Sequence, residues 1–124
     1  MAPMCRGPTL FAVADELCEL VEADARLVIW VGGDEASLAG AGPRVDALAD
    51  ALGAVVVAAP GGGRDILRDA DGFAGLTGGV MGHPSAHRVL ADADACLVLG
   101  CRMTMTDRAG EDDALGGRLR VIHL

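Results

Sequence analysis

Apolar residues in this chain follow two rhythms, and the points where one gives way to the other mark the predicted elements. Leu10, Val13, Ala14, Leu17 and Val21 recur at helical spacing behind Thr9, a suitable N-cap that follows Pro8, and predict a first helix over about 9–23. Leu27 to Val31 is an unbroken apolar run too short for a helix. It stops at Gly32-Gly33, as a buried parallel strand does on entering a loop. After a loop through Asp34, Glu35 and Ser37 to Gly42, Pro43 suits a first helical position. Val45, Leu48, Ala49 and Leu52 then give a second amphipathic helix that Gly53 ends.

Ala54 to Ala59 reads as a second buried strand, broken by Pro60-Gly61-Gly62-Gly63. The middle is less regular: a helical turn over Arg64 to Arg68, a short strand over Phe73 to Leu76, and a glycine-rich loop from Thr77 to Gly82. Pro84 opens a third helix to about Ala91, Ala95 to Leu99 is a strand, 100–117 is a polar loop, and Leu119 to Leu124 is a last strand. Strands alternating with helices predict an α/β fold: three layers, a parallel sheet with helices on both faces. There are no internal repeats, and 124 residues is one ordinary domain, 1–124, with a core of about 10–124.

Composition sharpens this picture in three respects. With no Tyr, and Trp30, Phe11 and Phe73 as the only aromatics, packing must rest on Ala, Val and Leu. All 10 basic residues are Arg against 18 acidic ones, a net charge of −8, which leaves no basic stripe for a phosphate backbone and argues against a nucleic-acid partner. No apolar run approaches the length needed to cross a bilayer and no targeting pattern opens the chain, so a soluble cytoplasmic protein with no membrane partner is expected. Cys5, Cys18, Cys96 and Cys101 lack CxxC spacing and read as reduced thiols, with Cys18 and Cys96 on apolar faces.

The chemistry-bearing positions are sparse. Three glycine clusters follow or flank strands, where glycine lets a backbone approach a ligand and turn its N–H groups towards an anion. That reading competes with plain tight turns: Val31-Gly32-Gly33-Asp34 is not G-x-G-x-x-G, nothing is a P-loop, and Asp34 and Glu35 would repel a phosphate. His83 and His87 stand at i and i+4 but lack a third metal ligand, Glu111-Asp112-Asp113 reads as a solvated loop, and Cys101 beside Arg102 has no base to activate it. His123 reads as a satisfied strand histidine, and neither Ser37 nor Ser85 sits in a triad-like motif.

Five segments in order carry a resemblance. They are Arg26 to Gly33, the helix ending in Leu48 to Gly53 with the strand Ala54 to Val57, the Gly79-x-x-Gly82 loop, Ala93 to Arg102, and Arg120 to Leu124. Over roughly residues 10–124 the chain resembles the central domain of thiamine diphosphate-dependent enzymes, most closely the acetolactate synthase branch. The resemblance implies a Rossmann-like fold of the DHS-like NAD/FAD-binding kind. It also implies a domain without the chemistry, because thiamine diphosphate and its Mg are held by N-terminal and C-terminal domains outside these residues. The chain alone is therefore expected to be catalytically inactive, with a structural and subunit-contact role in a homo-oligomer.

In the acetolactate synthase-like branch this domain holds FAD, and in some relatives ADP or nothing. Carried over by position, Gly32 and Gly33 would lie under such a cofactor, Gly79 and Gly82 beside it, and Arg102 would approach it from a strand end. Met81 stands where that branch has a histidine. Thr104-Met105 replace the aromatic and acidic residues that follow the arginine, and Asp107-Arg108 is a shifted remnant of the acidic-basic pair. The alternative is a free-standing nucleotide-binding accessory subunit of a redox complex, similar to the small subunit of acetyl-CoA decarbonylase/synthase. The sequence stops inside the family's closing strand pattern, which favours the first reading.

Overall fold

The computed structural model describes residues 10–32, 42–59, 73–77, 84–99 and 119–123. The described elements run α1 (Leu10–Glu22), β1 (Leu27–Val31), α2 (Gly42–Leu52), β2 (Val55–Ala58), β3 (Phe73–Leu76), α3 (Pro84–Asp92), β4 (Ala95–Leu99) and β5 (Arg120–His123). All five strands are parallel, in the order β3-β2-β1-β4-β5. The expected helices and strands all form, most within a residue of the predicted bounds. The turn at Arg64 to Arg68 and the loops at 33–41, 78–83 and 100–118 lie outside the described residues.

The sheet is buried on both sides, which is why its strands read as continuous apolar runs. Leu27, Ile29 and Val31 of β1 join Val56, Ala58, Ala95, Leu97 and Ile122 in one core, roofed by Val13 and Leu17 of α1 and by Val45 and Ala49 of α2. The alternate residues Val28 and Trp30 join Val57, Cys96 and Val98 in a second core on the other face, roofed by Ala86 and Leu90 of α3. Those two cores and the sheet between them make the three layers. Register is even along β1, with Trp30 level with Val57 and Val98. It slips between Val56 and Val57, where β3 carries Gly75 at φ +131°.

Helix ends are closed by backbone geometry. Gly53 takes φ +64°, its N–H reaches Asp50 O at 3.3 Å, and the Ala54 N–H reaches Ala49 O at 2.8 Å, a Schellman closure of α2 that the glycine made legible. α1 ends identically, but with Asp24 at φ +57° and the Ala25 N–H on Leu20 O at 3.0 Å. An aspartate tolerates the left-handed region, so this stop carried no glycine to announce it. At the amino edge Asp94 ties three strands together. Its N–H donates to Arg26 O (2.8 Å), its Oδ2 accepts from the Arg26 N–H (2.8 Å), and its carbonyl accepts from the Arg120 N–H (3.1 Å).

Two expectations about α1 are corrected. Ala14 and Val21 face solvent, Val21 at 42% exposure, and the inward stripe is Val13, Leu17 and Leu20. The helix is apolar enough around its circumference that spacing alone left two stripes open, and packing on the sheet selects one. Cys18 is likewise exposed, since it stands one residue, about 100°, from Leu17. Cys96 is fully buried, as a small hydrophobe in β4. Among the described residues no helix is long and apolar enough to cross a membrane.

Candidate functional site at the carboxyl edge of the sheet

A parallel sheet gathers the carboxyl ends of its strands at one edge, and this one reverses its order between β1 and β4. The chain steps from β1 outward to β2 and β3, then returns to β4 on the other side of β1 and moves on to β5. The crevice at such a reversal is where open α/β sheets receive ligands. Five positions of this edge are described: Gly32 after β1, Ala59 after β2, Thr77 after β3, Leu99 at the end of β4 and His123 at the end of β5.

Three of the backbone donors at these positions are engaged across the strands. Gly32 N–H donates to Leu99 O at 2.8 Å, Ala59 N–H to Val31 O at 2.8 Å, and Thr77 N–H to Ala58 O at 2.8 Å. Thr77 is 2% exposed and its Oγ1 donates to the same Ala58 carbonyl at 3.4 Å. Gly32 therefore seals the β1/β4 seam, and its amide does not point at an anion in the crevice. Ser85 in the first turn of α3 donates through Oγ to Ala74 O, which fixes the amino end of α3 at this edge, above the face that holds Trp30.

Trp30 supplies the polar atom that sequence reading passed over. It is fully buried in the central strand, and among the described residues its Nε1–H has no hydrogen-bond partner. A buried N–H without an acceptor costs about 1–3 kcal/mol. The clue in the sequence was a lone tryptophan among aliphatic strand residues, since an indole carries a donor that Val or Ile in its place would not. On the other face, Asp46 Oδ1 of α2 is also buried without a partner.

Of the residues carried over by resemblance, Gly32 follows β1 at the switch point, while Gly33, Gly79, Gly82 and Arg102 lie outside the described residues, as do His83, Cys101 and the Glu111 to Asp113 cluster. His87 is exposed on α3. Among the described residues no group of three or more His, Cys, Asp or Glu side chains is placed to hold a metal ion.

Comparison with known families decides the assignment: the thiamine pyrophosphate enzyme, central domain, matches residues 14–124. The chain belongs to this family. No curated protein matches the sequence. The match accounts for the five-stranded parallel sheet and for a fold whose residues are mostly devoted to packing.

Proposed function

We propose that this chain is the structural and subunit-contact domain of a thiamine diphosphate-dependent carboligase or decarboxylase of the acetolactate synthase-like kind. The chemistry is done by groups of the N-terminal and C-terminal domains, in a cytoplasmic homo-oligomer. The observation that carries this reading is the closure of the carboxyl edge, where the amides of Gly32, Ala59 and Thr77 are each bonded to a neighbouring strand. Amides used in this way hold strands in register and are not themselves donors for a diphosphate. The replacements at Met81 and Thr104-Met105, away from the pattern of the FAD-holding branch, support the same reading.

A second reading, FAD or ADP at the β1/β4 switch point, is favoured by the unpartnered Trp30 Nε1–H. This donor belongs to β1, one of the two strands at the switch point, and is buried in the core beneath α3. It extends to a free-standing nucleotide-binding accessory subunit of a redox complex. A thermal-denaturation series with FAD, ADP and NAD separates the two, because a ligand that binds only the folded state raises the melting temperature. At a hundredfold excess over Kd the rise is roughly 5–10 °C for a domain of this size. The structural reading expects no rise with any of the three; a rise with FAD or ADP alone replaces it with the second.

A further inference from the structure

The first helix turns to solvent a face that the sheet does not use. Val13, Leu17 and Leu20 of α1 point inward, and beside them Phe11, Ala14, Cys18 and Val21 are all exposed. Spaced at i, i+3, i+7 and i+10, these four form a second apolar line, about 15 Å long, on the outer side of the helix. Phe11 is 85% exposed and Val21 42%, and with Val121 they are the large hydrophobic side chains exposed among the described residues. Phe11 is also one of only three aromatic residues in the chain.

The charge beside this line has one sign. Asp15, Glu19 and Glu22 follow it along the edge away from the sheet, and α1 contains no basic residue. Glu16, on the sheet side, is paired with Arg120, whereas Asp15, Glu19 and Glu22 have no ion-pair partner among the described residues. Ala14 and Cys18 are small, so a second helix can approach the middle of the line closely, between Phe11 at one end and Val21 at the other.

Charge and shape together select the occupant. Three carboxylates next to the apolar line repel an anionic membrane surface. A second copy brings the same edge: antiparallel two-fold pairing of α1 sets acid against acid, between chains that each carry −8. A helix with a basic edge satisfies both the apolar line and the carboxylates. We propose that the outer face of α1 docks a basic amphipathic helix of a partner other than this chain. Its apolar seam lies on Phe11, Ala14, Cys18 and Val21, and its Arg or Lys side chains run along Asp15, Glu19 and Glu22. This rests on the contact role proposed above and gives that role a surface and a partner chemistry.

The test is a titration of the isotopically labelled 124-residue chain with a synthetic helical peptide of Leu, Ala and Arg, its arginines along one edge of the leucine seam. The same peptide with Glu in place of Arg is the control. The expected result is saturable movement of the amide signals of residues 11–22, weakened by salt, with the Glu peptide bound about tenfold more weakly or not at all. Phe11→Ser weakens the Arg peptide by about tenfold through lost apolar contact, and Glu19→Arg weakens it by repulsion. Both positions are exposed, so these variants keep the melting temperature of the parent. Val121→Ser, which removes the exposed hydrophobe on the α3 side of the sheet, leaves binding unchanged. The proposal is overturned if the Arg peptide moves no α1 signal, if the Glu peptide binds as tightly, or if Phe11→Ser binds like the parent. It is overturned too if light scattering finds a dimer that Phe11→Ser dissociates, since a second copy would then be the occupant. Nucleotide binding, which would replace the contact role itself, moves signals at the carboxyl edge instead, so the two failures are told apart.

Discussion

Trp30→Ala is expected to destabilise the domain by about 3–5 kcal/mol, whereas Trp30→Phe costs only about 1 kcal/mol. Among the described residues Trp30 is the largest fully buried side chain, on the central strand, packed in the core beneath α3 with Val57, Val98 and Ala86. Its truncation removes the greatest apolar area any single residue contributes and opens a cavity that the short aliphatic neighbours cannot close. For a domain whose whole stability is on the order of 5–15 kcal/mol, that loss is severe. Phenylalanine keeps most of the buried ring and removes the Nε1–H that has no acceptor, so the gain from losing an unsatisfied donor offsets part of the lost volume. Urea denaturation followed by far-ultraviolet circular dichroism measures both, since the variants have no tryptophan to report. If Trp30→Phe is as damaging as Trp30→Ala, the indole N–H has a partner and the orphan donor assigned to it is wrong.

Leu90→Ala is expected to cost about 3 kcal/mol and to loosen α3 from the sheet. The helix is nine residues long, too short to be stable alone, and its buried residues are Ala86 and Leu90. Leu90, at 1% exposure, supplies nearly all the apolar area that docks it over Val28, Cys96 and Ala93. Val89 is only partly buried, and Val89→Ala is the matched control at under 1 kcal/mol. Hydrogen exchange reads the difference: Leu90→Ala opens the amides of residues 86–92 well before the sheet, and Val89→Ala does not. Equal exchange of α3 and β1 amides in Leu90→Ala would mean the helix is held by something other than this side chain.

The strands were legible because a parallel sheet covered on both faces leaves no polar alternation. Leu27 to Val31 and Ala95 to Leu99 could hardly be read otherwise once glycine, or an Ala-Asp run, bounded them. The α2 stop at Gly53 was legible for the same reason, since glycine at that position announces the left-handed turn. The equivalent stop at Asp24 was not, and neither was the choice of Leu20 over Val21 on α1, because packing on the sheet settles which apolar stripe turns inward.

The site was less legible than the fold. Gly32 was placed correctly at the end of β1, but the direction of its amide depends on Leu99, a residue far along the chain whose carbonyl meets it only when β4 lies beside β1. The unpaired Trp30 donor needed the structure too, because the sequence shows an indole and not whether an acceptor faces it.

The central claim is that this domain holds strands and subunits together while the thiamine diphosphate chemistry lies in other domains. Isothermal titration of the 124-residue chain with thiamine diphosphate and Mg²⁺ tests it most directly. No saturable heat at millimolar cofactor and no rise in melting temperature are expected, since no cluster of metal-ligating side chains is found among the described residues. Saturable micromolar binding that depends on Mg²⁺ would contradict it, and would mean that this chain itself holds the cofactor.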